Sequence, residues 1–199
     1  VVCTTAGTLL SCSMAAYAFS RLRWPDRTLL FGLLLATMMI PYQVTSIPMF
    51  ILFSELRWID TFLPLTVPSF FGSAFFIFLL RQFFATLPEE LLEAARLDGA
   101  GEWQIFYRVI LPLSRPALVT VTIFTVLGAW NDFMGPLIYL TSESKRTLAL
   151  GLAHLRGVQE TEWGLLMAAS LIMVLPAVLL FLFAQRFFIE GIALSGTKG

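Results

Sequence analysis

The stretch EAARLDGAGEWQIFYRVILP, residues 93–112, is nearly the only long polar interruption in a strongly apolar chain. Hydrophobic residues make up 58% of the sequence, and its mean hydropathy is +0.82. Long apolar runs separated by short charged stretches are typical of an integral membrane protein. We therefore predict an all-α fold, a polytopic transmembrane helical bundle. The quoted stretch should be part of a compact amphipathic helical hairpin that spans residues 86–112 and lies on one side of the bilayer.

Length and charge narrow the class of protein further. The chain has 199 residues, which is about one domain, and we expect residues 1–199 to form a single transmembrane domain. It carries 13 basic and 13 acidic residues, so its net charge is zero. It has no basic block of the kind that binds nucleic acid. The chain starts at Val1 inside an apolar run without a charged segment before it, so it is not a signal peptide. The simplest expectation is an N-terminally truncated fragment.

Metal-site chemistry is disfavoured by the residue types present. Cys3 and Cys12 are the two cysteines, and on a helix of about 100° per residue they face roughly opposite sides. They therefore cannot form a local disulfide or a shared metal site. His154 is the single histidine, which excludes a multi-histidine metal centre. We predict no metal site.

Five segments are long enough to cross a bilayer, which needs roughly 20 apolar residues. They are approximately residues 1–20, 28–53, 62–84, 117–140 and 164–187. The side with more Lys and Arg in its connections is normally cytoplasmic. One set of alternate connections holds nine of these residues: Arg21, Arg23, Arg27, Arg81, Arg96, Arg108, Arg115, Arg186 and Lys198. The other set holds four: Arg57, Lys145, Arg146 and Arg156. The hairpin and the C-terminus are therefore predicted to be cytoplasmic.

Helix-end signals define the predicted hairpin. Thr86 and Glu89 have the spacing of a capping box, and Pro88 suits a first helical turn. Gly99 offers a left-handed end to this first helix. A second short helix, residues 102–110, should end before the proline that closes the stretch.

Two small side chains, Ala94 and Ala95, would let the first helix approach another surface closely. The helix could therefore dock into a groove on a partner. It could equally be a re-entrant or interfacial helix that packs only on its own bundle. The physics of the stretch leaves both interpretations open.

The stretch resembles the EAA loop of ABC-importer permeases: Glu-Ala-Ala, three residues, a glycine, and later a hydrophobic residue–x–Leu–Pro ending. The matching positions, with valine where isoleucine is commonest, are Glu93, Ala94, Ala95, Gly99, Val109, Leu111 and Pro112. Three more segments are similar to carbohydrate-type, maltose-permease-like subunits: AAYAFSRLRWPDR (15–27), GAWNDFMGPLIYL (128–140) and QRFFIEGIALSGTKG (185–199). The last segment departs from the usual family ending at Ile192, Ala193, Leu194 and Thr197.

The resemblance implies a permease subunit that imports a sugar or sugar derivative by alternating access. It implies six spans, of which this chain would hold five. Implied partners are ABC ATPase subunits, a second permease subunit, an extracytoplasmic solute-binding protein and membrane lipid, in a bacterial or archaeal cytoplasmic membrane. No cofactor is implied. The ATPase-coupling positions would be Glu93, Ala94, Ala95, Gly99, Leu111 and Pro112.

Asp132 is the only acid deep in a predicted span, and an intramembrane carboxylate usually faces a cavity or a partner. With Trp130 and Asn131 beside it, it could line a path for a sugar. Alternatively, it makes a structural contact with a neighbouring helix. The outer loop, residues 141–163, holds a predicted short helix at 147–155. That loop could receive a binding protein or simply be solvated.

Three hypotheses follow from these features. The chain has no glycine-rich Walker A loop, so it should not bind ATP itself, and we find no set of residues that predicts an enzyme. The leading hypothesis is a permease subunit of an ATP-driven sugar importer. An ion-coupled secondary transporter would use Asp132 as its ion site. A membrane assembly factor without transport activity is the third. Only the first hypothesis accounts for the cytoplasmic hairpin.

Overall fold

The computed structural model of the protein describes residues 1–156 and 163–195, and within these ranges every regular element is helical. The helices are α1 (Val2–Arg21), α2 (Arg27–Thr37), α3 (Tyr42–Glu55), α4 (Leu63–Thr66), α5 (Ala74–Thr86), α6 (Glu89–Leu97), α7 (Glu102–Ile105), α8 (Leu111–Leu113), α9 (Arg115–Trp130), α10 (Met134–Tyr139), α11 (Leu148–Arg156) and α12 (Trp163–Ser195). Short 3₁₀ segments, Val67–Phe71 and Glu143–Lys145, and a π-helical segment, Phe106–Ile110, complete the fold. The all-α prediction is confirmed.

The described helices contain enough apolar length to cross a membrane several times. Three of them qualify alone: Val2–Arg21, Leu63–Thr86 and Trp163–Phe183. Two bent pairs raise the number to as many as 5 if each pair is one span: Arg27–Thr37 with Tyr42–Glu55, bent by 94°, and Glu102–Leu113 with Arg115–Trp130, bent by 77°. The polytopic bundle is therefore confirmed, but two of the predicted spans are broken rather than continuous.

Two predicted spans are interrupted within their predicted bounds, 28–53 at the 94° bend and 117–140 after Trp130, whereas the 77° bend lies at Ser114, before the second of these spans. Pro41 lies at the N-terminus of α3, where it has no N–H to donate and disfavours helical backbone in the residue before it. The predicted span 28–53 therefore divides after α2. The predicted span 117–140 ends its long helix at Trp130 and resumes as the short α10. Asp132 consequently lies at a helix break and not within a continuous helix.

The buried core lies where α1, α5 and α9 meet the hairpin. Its members include Cys12, Ala16, Leu80, Phe84, Leu92, Ile105, Ile110 and Val121. At the other end of α1, Gly7 allows a close approach to the 3₁₀ segment that precedes α5. A Cβ at this position would lie 2.6 Å from Ser69 Oγ and 2.7 Å from a ring carbon of Phe70. Ser11 adds a hydrogen bond to the carbonyl oxygen of Ser69 at 3.0 Å. The first and third predicted spans are thereby packed tightly together.

Candidate functional site: a polar hairpin and a cavity at opposite ends of one helix

The first hairpin helix, α6, begins without the predicted capping box. Thr86 is the last residue of α5, and its hydroxyl donates to the carbonyl of Phe83 at 2.7 Å. Pro88 occupies the N-cap position, with Glu89 and Glu90 in the first turn. These two carboxylates stabilise the helix through its dipole, which is positive at this end. The N-terminus of α6 is therefore stabilised by negative charge in its first turn and not by the predicted threonine cap.

The end of α6 agrees with the prediction. Gly99 has φ of +81°, in the left-handed region that glycine adopts without strain. Its N–H donates to the carbonyl of Arg96 at 3.0 Å, and the N–H of Ala100 donates to that of Ala95 at 2.9 Å. This pair of bonds is a Schellman motif, which turns the chain sharply toward the second hairpin helix.

The second hairpin helix passes the point where it was predicted to stop. It runs from Glu102 to Leu113, so Pro112 lies inside it. Proline cannot donate the usual bond to the carbonyl four residues earlier. The backbone widens into the π segment instead, and Leu111 donates to the carbonyl of Phe106, five residues earlier. Single π turns inside helices are often found at functional sites.

The predicted coupling residues divide into an outward and an inward group. Glu93, Ala94, Gly99 and Pro112 are exposed, whereas Ala95 and Leu111 are half-buried against the core. The sequence interpretation treated both alanines as docking residues, but only the first of them faces outward. It also missed Leu97, whose side chain is 89% exposed. Glu90, Glu93, Ala94 and Leu97 are spaced as one face of α6, a pattern that could have identified it.

A chain of polar contacts connects the hairpin to α1. The hydroxyl of Tyr17 donates to Oε2 of Glu102, and Nε of Arg96 donates to Oε1 of the same carboxylate at 3.1 Å. The rings of Tyr17 and Phe106 lie 5.3 Å apart between centroids. Because Tyr17 and Glu102 are 85 positions apart in the sequence, their pairing left no signal there. The hairpin is therefore held to α1 by hydrogen bonds as well as by packing.

Arg21, at the end of α1, holds the connection that leads into the hairpin. Its guanidinium donates to the carbonyl of Phe84, with Nε at 3.1 Å, and to the carbonyl of Leu87 at 2.5 Å. Positive charge at these carbonyls stabilises the C-terminus of α5. Arg21 thus holds both the end of α5 and the connection to α6 against α1.

A cavity of about 820 Å³ opens at the opposite end of α1. Its walls come from α1, α4, α5, α9, α10 and the start of α11. The lining residues used below are Cys3, Thr4, Thr8, Thr66, Thr125, Trp130, Asp132 and Thr147. Thr4 and Tyr17 are thirteen positions apart on one helix, a rise of about 20 Å. One continuous helix therefore contacts both the hairpin and the cavity.

The three predicted path residues have different positions at this cavity. Trp130 and Asp132 line it, whereas Asn131 is exposed outside the lining and donates to the carbonyl of Leu127 at 2.9 Å. The indole N–H of Trp130 donates to the carbonyl of Met173 at 3.0 Å, which joins α9 to α12. Asp132 accepts the N–H of Gly135 at 3.1 Å. A Cβ at Gly135 would come within 2.5 Å of the carboxylate, so only glycine fits here.

Asp60 fastens two loops near the cavity end of the bundle. It accepts the N–H groups of Thr141 at 3.0 Å and Ser142 at 2.8 Å, the hydroxyl of Ser142, and the ammonium of Lys145 at 2.9 Å. The Ser142 hydroxyl, then its N–H, then Lys145 hold the pKa of Asp60 well below its usual range. This contact orders the loop that precedes α11.

The helix predicted at 147–155 is present as α11, Leu148–Arg156. The N–H of Leu150 lies 3.4 Å from the Thr147 hydroxyl at its start. The predicted outer loop continues into residues 157–162, and the predicted cytoplasmic tail into 196–199. Both lie outside the described residues.

Comparisons with known proteins identify the family of the chain. The family described as "Binding-protein-dependent transport system inner membrane component" matches residues 7–193. The arabinooligosaccharides transport system permease protein of Bacillus subtilis (strain 168) is 37% identical over 196 residues, which cover 98% of this chain and 69% of that protein. The sn-glycerol-3-phosphate transport system permease protein of Yersinia pestis is 36% identical over 190 residues, covering 94% and 67%.

A solved structure is similar in fold. It is a bacterial ABC transporter involved in the import of the acidic polysaccharide alginate. The match has a TM-score of 0.73 and 24% identity, and it covers 99% of this chain and 71% of that chain. At this identity the likeness shows the fold alone.

Proposed function

The chain belongs to the family of binding-protein-dependent transport system inner membrane components. We propose that a partner ATPase docks on its hairpin and moves it during the transport cycle. The chain is a multi-pass permease subunit of an ABC importer in the cytoplasmic membrane. Such a subunit lacks ATPase activity and works with ATPase subunits and a solute-binding protein. This membership also rules out the ion-coupled secondary transporter that the sequence alone had left open.

The observation that carries the proposal is the outward face of α6. Glu93, Ala94 and Gly99 are exposed there beside Leu97, an apolar side chain that its own bundle leaves 89% uncovered. A small and apolar patch at a sharp helix end suits insertion into a groove of an ATPase. Ala95, Leu111 and Pro112 shape the other side of the hairpin, where it meets the core.

We assign to α1 the role of transmitting the movement of the hairpin to the cavity. A displacement of the hairpin is passed to α1 through Tyr17–Glu102 and through Arg21, and α1 also forms part of the cavity wall. Switching the bundle between outward- and inward-facing states would then open the cavity alternately to each side.

We assign the cavity to the solute path, with Trp130 and Asp132 in contact with the solute. Asn131 lies outside the cavity lining, so it would join this path only through a rearrangement of the helix break after α9 that turns its side chain toward the cavity. The cargo is a sugar or sugar derivative. The relatives named for arabinooligosaccharides and for sn-glycerol-3-phosphate support this class without deciding between neutral and anionic members.

Further partners complete the proposed assembly. A second permease subunit would close the open side of the cavity. Membrane lipid would cover the exposed apolar faces of α2, α3 and α12, for example at Leu29, Ile47 and Leu171. We place the hairpin and the C-terminus in the cytoplasm, following the nine-to-four distribution of Lys and Arg.

A bulky substitution on the outward face of α6 tests the docking. In Ala94→Trp the new side chain points away from the bundle, so the fold should persist while the fit to the ATPase is lost. We expect ATPase binding to weaken by about tenfold or more, corresponding to about 1.4 kcal/mol. Retention of the ATPase on the purified permease gives the measurement.

The matched control is Ala168→Trp, on an exposed alanine of α12 far along the chain from the hairpin. It should keep the ATPase bound. Equal retention in Ala94→Trp and the native protein, together with normal ATP-dependent uptake, would refute the proposed docking face. Ala95→Trp is a poorer probe because Ala95 packs against the core.

A further inference from the structure

Among the described residues that line the cavity, only one carries a charged side chain. This residue is Asp132. The other polar members are threonine hydroxyls and the thiol of Cys3: Cys3, Thr4, Thr8, Thr66, Thr125 and Thr147. A solute in this cavity therefore meets hydroxyl groups, aromatic and aliphatic surface, and a single carboxylate.

Within the described part of the chain, no cationic side chain forms an ion pair with the carboxylate of Asp132. The ion pairs found within the described residues join other side chains: Arg23–Glu89, Arg96–Glu102, Lys145–Asp60 and Arg146–Glu143. Its one described hydrogen bond comes from the neutral N–H of Gly135. At the lower effective dielectric constant of a protein cavity, one negative charge raises the free energy of a nearby anion more than it would in water. The one charged side chain of the described lining is therefore negative, which disfavours a nearby anion, and the carboxylate and hydroxyl oxygens offer acceptor atoms to hydroxyl groups.

Thr125 adds a hydroxyl that makes no hydrogen bond within the described residues. It is 7% exposed and lines the cavity, and no described residue pairs with its Oγ1. Two other threonines of α9 satisfy their hydroxyls within the helix, Thr120 on the carbonyl of Pro116 and Thr122 on that of Leu118. A buried hydroxyl without a partner is unfavourable, so a ligand hydroxyl that pairs with it gains affinity.

From these observations we infer that the cavity takes a neutral, hydroxyl-rich solute, a sugar or polyol, and discriminates against solutes that carry phosphate or carboxylate. The inference rests on the proposed function, because it assumes that the cavity lies on the transport path. It goes beyond that function by choosing between the neutral and the anionic members of the cargo class. Asp132 is thereby a specificity-determining residue.

The native chain carries a reporter for a test. Cys3 is exposed and lines the cavity, whereas Cys12 is buried. In the complete importer with Cys12→Ala, the labelling rate of Cys3 is measured with an anionic sulfonatoethyl and a neutral methyl thiosulfonate. Asp132→Asn keeps an acceptor for the Gly135 N–H and removes the charge. We expect it to raise the anionic-to-neutral rate ratio about tenfold, as for one unit charge several ångströms away.

The control removes an acid that is outside the cavity. Glu143→Gln, on a carboxylate that is 79% exposed, should leave the ratio unchanged. A ratio that does not respond to Asp132→Asn, or that responds equally to Glu143→Gln, overturns the inference. Labelling of Cys3 by neither reagent also overturns it, since the cavity would then be closed to solutes.

A protection experiment tests the hydroxyl recognition. Neutral di- and trisaccharides at high concentration should slow the labelling of Cys3 at least twofold, and less so in Thr125→Val. Glycerol 3-phosphate at the same concentration should not protect. Protection by glycerol 3-phosphate alone, or by none of the saccharides, contradicts the inferred cargo.

The proposed function has a separate readout in the same preparation. Trapping the ATPases with ATP and vanadate should change the labelling rate of Cys3 if the cavity lies on the alternating-access path. An unchanged rate rejects that path, whatever the charge ratio. A changed rate with a charge ratio insensitive to Asp132 rejects only the choice of neutral cargo.

Discussion

At the scale of single residues, the loop contact made by Asp60 shows how much one carboxylate can organise. It accepts from two backbone N–H groups, a hydroxyl and an ammonium on a segment more than eighty positions away. Asp60 itself has φ of +60°, an uncommon backbone conformation that aspartate tolerates better than most residues. The loop before α11 is thereby tied to the loop that follows α3.

The depressed pKa of Asp60 gives this contact a defined pH dependence. A carboxyl whose pKa is lower in the folded than in the unfolded protein stabilises the fold above its unfolded pKa, near 4. That stabilisation is lost as the pH falls further, toward the folded pKa. We expect Asp60→Asn to lower the melting temperature at pH 7, with a difference that shrinks below about pH 4.

Thermal unfolding of the purified protein between pH 3 and 7 measures this difference. Glu143→Gln breaks the exposed Arg146–Glu143 pair and serves as the control, with little expected effect at any pH. A difference between native and Asp60→Asn protein that stays constant down to pH 3 would contradict the role given to the charge.

At the scale of elements, the hairpin shows what a sequence can and cannot predict. Gly99 ended α6 as expected, because a left-handed turn there is a local property of glycine. Thr86 did not cap α6, because α5 continued through it. The helix passed Pro112, because a π segment accommodated the missing donor. The Tyr17–Glu102 pair depends on tertiary packing and could not be read from local patterns.

The Tyr17–Glu102 contact predicts a coupling defect. Tyr17→Phe removes one hydroxyl from a buried ring and leaves Glu102 with Arg96 as its described side-chain donor. Because the Glu102 side chain is 45% exposed, we expect a loss of stability of only about 1 kcal/mol. Uptake per ATP hydrolysed should fall more clearly, by about threefold to tenfold.

The control for this variant is Tyr107→Phe, on a tyrosine of the π segment that is 48% exposed. It should leave the ratio of uptake to hydrolysis unchanged. The measurement is the uptake of labelled solute alongside phosphate release in proteoliposomes. Parallel losses of both activities in Tyr17→Phe would indicate plain destabilisation and would argue against a coupling role.

At the scale of the whole molecule, the membrane orientation follows from charge, and the bundle follows from apolar length. The presence of several membrane-spanning helices was predictable because hydrocarbon requires long apolar helices, and the described residues hold 3 such helices, or up to 5 if each bent pair is one span. The bends of 94° and 77° were not, because they depend on where a proline or a polar break falls relative to neighbouring helices. The cavity was only partly predictable. Its residues come from α1, α4, α5, α9, α10 and the start of α11, and of the three predicted path residues, Trp130, Asn131 and Asp132, only the first and third line it.

Labelling with an impermeant thiol reagent tests the orientation in intact cells. In a background with Cys3→Ala and Cys12→Ala, Glu93→Cys should react only after permeabilisation. Glu143→Cys should react without it, because the nine-to-four charge distribution places its loop outside. Reaction of Glu93→Cys in intact cells would reverse the assigned topology.

The unbroken course of α1 has a practical consequence for anyone who wishes to rebuild this protein. Its sequence from Val2 to Arg21 contains no proline and the helix is continuous, so under the proposed function its two ends have different roles. Thr4 and Thr8 lie about 13 Å or more along the helix axis from Tyr17 and Arg21, so a substitution at either threonine leaves the contacts of Tyr17 and Arg21 with the hairpin in place. If the proposed function holds, we expect substitutions at the cavity end to change cargo selectivity without changing the coupling to the ATPase. A new selectivity could then be engineered at the cavity end of α1 while the contacts of its other end with the hairpin are kept.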